Sequence, residues 1–233
     1  MFHRRVLMLA SLLALFAPIR GEATVLTLSP SADTRILEFF PSNPFGDDVI
    51  LSVFNNFGNV QRTLIQVDLS AIPAGQQINS ATLTLFGSRA FGDNVDGRAM
   101  DIHAVTTPWV EQATWLFASS GTPWGTAGGD FDPFVYATSN ANPLEFNPVV
   151  WDITTLVQDW YDGSVDNNGL LLKSIAGNGL TFYSTNALNP QIRPLVSIEY
   201  APIPEASSTL LVGAGLLMSL GVAYRSGRVR STS

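Results

Sequence analysis

The 233-residue chain has no cysteine and a formal net charge of -7; charged residues make up only 13%, while glycine and proline number 19 and 14. The absence of thiols excludes disulfides, zinc-thiolate centres, iron–sulfur clusters and cysteine nucleophiles, so only oxygen and imidazole remain as ligand atoms. The acidic balance argues against a protein held by a nucleic-acid or anionic-lipid backbone, and the many turn formers predict short strands.

In chain order, the first segment has His3, Arg4 and Arg5, an apolar run over 6–17, and small residues ending in Gly21-Glu22-Ala23. This is the three-part pattern of a secretory signal peptide over 1–23, cut after Ala23 and addressed to Sec export. Its apolar core falls short of the ~20 residues of a membrane span. Near the other end, 206–224 is an apolar run of 19 residues followed by Arg225, Arg228 and Arg230. That length crosses a bilayer as a helix, and the arginines would stay cytoplasmic, leaving everything before Pro204 on the outer face. Residues 24–201 then carry six basic against seventeen acidic side chains, a net charge of -11.

Between these ends, alternating or β-branched runs of strand length recur at 24–28, 33–39, 49–54, 63–69, 81–86, 100–106, 170–173, 180–184 and 195–200. Turn formers separate them, including Pro41-Ser42-Asn43-Pro44, Gly92-Asp93-Asn94 and Gly177-Asn178-Gly179, where Asn178-Gly179 is the clearest hairpin signal. Closely spaced strands without long helices predict an all-β fold: an antiparallel, jelly-roll-like β-sandwich. One segment departs from the two-residue period. Ile153, Leu156, Val157 and Trp160 follow helical spacing, with Thr154 or Asp152 as N-cap and Gly163 as stop, predicting one short helix over an end of the sandwich. The interval 119–148, dense in Gly, Pro, Asn and Asp, reads as a long loop of the kind that carries binding.

Several motifs carry a resemblance. Ala32-Asp33-Thr34-Arg35-Ile36-Leu37-Glu38 resembles the opening of the DNRLRE domain, matching at Asp33, Arg35 and Glu38 and departing at Thr34, Ile36 and Leu37. The resemblance continues through Val67-Asp68-Leu69-Ser70-Ala71-Ile72-Pro73, Ile78-Asn79-Ser80-Ala81-Thr82-Leu83, Trp109-Val110-Glu111-Gln112-Ala113-Thr114-Trp115, Trp151-Asp152-Ile153-Thr154-Thr155-Leu156 and Asn168-Gly169-Leu170-Leu171-Leu172-Lys173. Related domains form carbohydrate-binding module family 96, associated with alginate-like ligands, so the resemblance implies a non-catalytic β-sandwich that binds polysaccharide. The tail resembles a PEP-CTERM sorting signal, with Pro204-Glu205 followed by Ala206 where the pattern has a second proline. That resemblance implies processing by an exosortase, a cell-surface or matrix location, and a role beside exopolysaccharide or biofilm; membrane contact would come only through the tail.

For sugar binding, the residue types needed are an aromatic platform and a few fixed polar groups. Trp124 and Tyr136 lie in the long loop interval, and Arg89, Lys173 and Arg193 supply cations for a uronate carboxylate. A structural calcium would draw on Asp33, Asn43, Asp130, Asp132 and Asp152, although Asp33 and Asp152 equally suit turn and cap positions. Calcium would also bridge an acidic polymer to so acidic a domain. Glu111, flanked by Trp109 and Trp115, is the best acid for a glycosidase, the third reading after a binding module and a structural matrix protein. His103, with Ile102 on the opposite face, reads as a surface strand residue, and no Gly-x-Ser-x-Gly elbow accompanies it.

Overall fold

The structure is a computed structural model that describes residues 22–56, 58–90, 98–141, 146–175, 177 and 179–203. The signal segment 1–21, the apolar run 206–224 and Pro204, Glu205, Ala206, Arg225, Arg228 and Arg230 lie outside the described residues; Ala23 is exposed in the stretch before the first strand. Among the described residues no helix is long and apolar enough to cross a membrane. Residues Ala23–Ala201 form one compact unit.

Its strands are β1 (Thr24–Leu28), β2 (Ala32–Leu37), β3 (Ile50–Asn56), β4 (Asn59–Gln66), β5 (Gln76–Ala90), β6 (Arg98–Ala104), β7 (Phe117–Ser119), β8 (Thr122–Pro123), β9 (Ala137–Ala141) and β10 (Pro148–Asp152), then β11 (Leu170–Ser174), β12 (Leu180–Tyr183) and β13 (Leu195–Pro202). One α-helix, α1 (Thr154–Asp162), stands between β10 and β11. Neighbouring strands run in the order β1-β13-β5-β12-β3-β4-β11-β6-β9, with β10 also on β5, β2 also on β4, and β7-β8 apart. The ladders are antiparallel, as the short connections require. The all-β sandwich expected from the strand spacing is therefore observed.

One strand, β3, turns from one layer to the other, while β5 takes two successive partners within a single layer. β5 pairs with β10 over residues 82–86 and with β12 over residues 87–90. β3 pairs with β12 through residues 50–53 and then with β4 through 54–56. Between the layers, Leu83, Leu85, Trp151, Phe182, Val196 and Ile198 from one side meet Ile65, Met100, Ile102, Leu170 and Leu172 from the other, all fully buried. The Trp151 indole N–H donates to the Met100 carbonyl at 3.3 Å, giving the largest core side chain its polar partner.

The run Leu170-Leu171-Leu172 is apolar on both faces of β11, which is the mark of a strand covered on both sides. Leu170 and Leu172 enter the central core. Leu171 points outward, joining Ile36, Leu64, Val105, Trp109, Trp115 and Trp124 in a second core. Its cover is the connection running from the end of β6 to Phe131, so the β4-β11-β6 face is no open surface at that level.

The helix forms where its spacing predicts. Ile153, Leu156, Val157 and Trp160 are buried against the core, and Gly163 closes the helix in the left-handed region at φ 73°. The N-cap position falls on Ile153, while Asp152 Oδ1 accepts from the Thr154 amide at 2.9 Å and its hydroxyl at 2.6 Å. The expectation of a long loop over 119–148 is overturned in part. β8, β9 and the start of β10 fall within it, because β9 is a polar edge strand with no apolar alternation and β10 is only five residues ending at the helix. The hairpin expected at Asn178-Gly179 is also corrected. β11 pairs with β4 and β6 whereas β12 pairs with β3 and β5, so the connection carries the chain between layers. Asn178 lies outside the described residues; at Gly179 a Cβ would collide with Phe54 and the Val53 carbonyl, so close approach, not turn geometry, accounts for the glycine.

Candidate functional site

Alternation along β4, β11 and β6 sends Arg62, Lys173 and Asp101 to the outer face, one row beyond Leu64, Leu171 and His103. Lys173 stands opposite Asp101, and Asp101 opposite Thr138 of β9. The covering connection returns beside β6, with Val105 bridged to Phe131 and the Asp132 amide bonded to the Ala104 carbonyl at 2.9 Å. This brings the Phe131 ring over the row. The Lys173 ammonium lies 5.1 Å from its centroid and the Arg62 guanidinium carbon 5.2 Å, and Arg62 also lies 5.1 Å from the Trp115 ring.

Among the described residues neither cation has a carboxylate within ion-pair distance. Among the described residues the one ion pair joins Arg35 to Asp48 at 2.6 Å. Arg62 Nη1 donates to the Gly128 carbonyl at 2.6 Å, yet its buried Nε has no partner. Asp101, the carboxylate opposite Lys173, accepts from the Thr138 hydroxyl at 2.6 Å. Burial pushes the Lys173 ammonium below its ordinary pKa, the Arg62 charge pushes it further, and Asp101 opposes both. Arg62 is lowered by burial, with Glu38 opposing. Two partly desolvated cations beside one aromatic face make a place where an anion gains more than it would on an open surface.

His103 is 3% exposed, which corrects the surface reading: the same connection covers it. Its Nδ1 lies 2.9 Å from both the Asp132 and Phe134 carbonyls, which only accept, so Nδ1 carries the proton and Nε2 is a buried lone pair without a partner. Burial lowers its pKa and the carbonyl bonds oppose, so the ring is neutral at pH 7 and works as a clasp for the connection.

The other sugar-binding candidates are dispersed. Trp124 is 5% exposed, with its indole N–H donated to the Thr114 carbonyl at 2.8 Å. It offers no face to a pyranose, because the apolar underside of its own connection needs it as filling. Tyr136 is half-buried; its hydroxyl donates to Asp159 Oδ2 at 3.2 Å and its ring meets Phe134 edge-on at 4.8 Å. Arg193 donates from Nε to the Ala187 carbonyl at 2.8 Å in the β12–β13 connection, away from the Lys173 row. Arg89 sits on β5 opposite Thr181, and its side chain lies outside what the structure describes. Of the five, Lys173 and Tyr136 alone flank the same strand, Lys173 opposite Asp101 and Tyr136 bonded through its amide to the Ile102 carbonyl at 2.9 Å.

The residues put forward for calcium do not converge, and among the described residues no group of three or more Asp, Glu or His side chains is arranged to hold a metal. Asp33 accepts from the Thr185 amide and hydroxyl at 2.8 Å each. Asp130 staples its own loop, accepting from Gly125 N at 2.8 Å, Thr126 N at 2.7 Å and the Thr107 hydroxyl at 2.8 Å. Those bonds outweigh burial and hold it below the usual carboxylate range. Asp132 bonds the Phe134 amide at 2.8 Å, Asp152 serves the start of α1, and Asn43 is exposed in the β2–β3 connection. Glu111 is half-exposed, but Trp109 and Trp115 turn away from it into the second core. Its charge reaches Asp33, which is 1% exposed and accepts both bonds from Thr185.

Arg62 and Phe131 escaped the reading of the sequence. Arg62 was within reach, because its alternation with Leu64 matches that of Lys173 with Leu171. Phe131 was not, since nothing local places a connection residue over a particular strand. A family model described as a disaggregatase related repeat domain matches residues 33–198, from β2 to within β13. A search of curated proteins finds no match. The matched repeat is carbohydrate-binding-like, as the motifs implied, while the finer DNRLRE and sorting-signal resemblances rest on their motifs.

Proposed function

Because the chain belongs to the disaggregatase-related repeat family, a carbohydrate-binding-like repeat, we propose that it is an exported, non-catalytic domain that binds acidic extracellular polysaccharide through Lys173, Arg62 and Phe131. The observation that carries this reading is the pair of cations held at one aromatic ring with no carboxylate in ion-pair distance among the described residues. A uronate carboxylate would take the two charges while the apolar face of its ring meets Phe131, uniting two separate requirements of sugar recognition. Export through Sec, processing of the Pro204-Glu205-Ala206 tail by an exosortase and residence in an exopolysaccharide matrix complete the proposal, supported by the motifs at each end.

The test is calorimetric titration of the full chain with alginate and polygalacturonate, repeated with chelator. Saturable binding is expected, with Lys173→Glu abolishing it and Lys173→Arg retaining most of it. Loss with chelator would make calcium the bridge to the polymer. The burial of Trp109, Trp115 and Trp124 favours a second reading, a structural matrix protein without a sugar pocket, and absence of binding to either acidic polymer by a folded chain would establish it over the first.

A further inference from the structure

A second feature lies on the opposite face of β4 from Lys173 and Arg62, where the end of β2 meets the β3–β4 turn. Leu37, Phe39, Phe40, Gly58, Asn59 and Gln61 line an open groove of about 420 Å³. This is within the ~300–1,000 Å³ of small-molecule sites. Phe39 is 67% exposed and Phe40 45%, an unfavourable state for two adjacent aromatic rings in water. Their rings meet edge-on at 4.9 Å, and Phe40 leans on Phe45 at 6.3 Å, which carries the Arg35 guanidinium at 5.0 Å.

The rings are held out by their backbone. Glu38 exchanges bonds with β4, its amide to the Val60 carbonyl and its carboxylate from the Val60 amide, both 2.9 Å. Two successive turns follow, from Phe40 N to Leu37 O at 3.2 Å and from Asn43 N to Phe40 O at 3.1 Å. An aromatic pair fixed before binding loses little entropy when a ligand arrives.

The polar part of the groove consists of amides. Gln61 Nε2 donates to Asn59 Oδ1 at 3.0 Å, which leaves Gln61 Oε1 as an acceptor and Asn59 Nδ2 as a donor. One acceptor and one donor, side by side, complement the hydroxyl pairs of a sugar ring, each of which both donates and accepts. Among the described residues no charged side chain lines the groove, so a carboxylate placed there would meet no counter-charge from them.

We infer that this groove is a binding site for a neutral saccharide, with the Phe39 and Phe40 rings against the ring C–H face and the Asn59–Gln61 pair on its hydroxyls. The inference deepens the carbohydrate-binding reading but uses residues and a ligand charge different from those of the Lys173 row. It is tested by titrating the full chain with cellohexaose and mannohexaose, in parallel with polygalacturonate. At least one neutral hexasaccharide is expected to bind, with Phe39→Ala and Gln61→Leu each weakening it about tenfold or more while polygalacturonate binding is unchanged.

The two variants separate chemistries. Gln61→Leu makes the groove more apolar, so a site built for an apolar partner would bind as well or better. Because Phe39 is mostly exposed, its replacement leaves the fold intact, which thermal unfolding verifies. Neutral saccharides that fail to bind while polygalacturonate binds would overturn this inference and leave the acidic-polymer reading standing; the reverse pattern would overturn that reading alone. Self-association of the chain abolished by Phe39→Ala, without saccharide binding, would assign the groove to a second copy and overturn the inference.

Discussion

At the residue scale, Asp33 shows how burial alters a common turn residue. Burial drives its carboxyl up to about 6, against the two bonds from Thr185, with the Glu111 charge adding to the rise. A folded-state value above the unfolded one means that folding favours the protonated form, so the stabilisation is absent at pH 7, grows as pH falls through 6, and is complete below the unfolded value near 3.8. Its full size is about 3 kcal/mol. Asp33→Asn lacks this titration. The stability of the parent chain relative to the variant, from urea unfolding, should therefore rise by up to about 3 kcal/mol between pH 7 and pH 4; a difference flat with pH would contradict the assignment. The sequence reads Asp33 as a turn or ligand residue, whereas it lies inside β2 opposite Ile65, and its titration leaves no local trace because the bond to Thr185 spans 152 positions.

At the element scale, the connection between β6 and β9 matters most. It lays Trp109, Trp115 and Trp124 onto the outer face of β4 and β11, and is pinned by the His103 clasp, the Asp130 staple and the Arg62 bond to Gly128. Its glycine- and aspartate-rich composition suggested an exposed binding loop, and the tryptophan within it suggested a platform. Gly, Asn and Asp also let a chain bend tightly enough to bury aromatic side chains beneath it. If Trp124 is filling, Trp124→Ala should cost about 3–5 kcal/mol of unfolding free energy, measured by denaturant midpoint. A change of less than 1 kcal/mol with lost sugar binding would instead mark a functional platform.

At the scale of the whole molecule, two electrostatic ranges oppose one another. The segment 24–201 carries a net charge of -11, while the Lys173–Arg62 row is locally cationic. At 0.01 M salt the Debye length is about 30 Å and an acidic polymer feels the whole domain; at 0.15 M it is about 8 Å and contact charges dominate. Polygalacturonate should therefore bind more tightly at 0.15 M than at 0.01 M, opposite to the salt response of a basic protein on a polyanion. Monotonic weakening with salt would show that long-range attraction drives binding.

From the sequence alone came the antiparallel sandwich class, nine of the strands, the helix from Thr154 and Lys173 as a cation for a uronate, all carried by period, turn residues and residue type within short windows. Tertiary structure alone decided that β11 and β12 belong to different layers, that His103 and Trp124 are covered, and that Arg62, Lys173 and Phe131 meet. Each of these depends on which distant strand lies alongside, and antiparallel pairing across layers leaves no local trace in the chain.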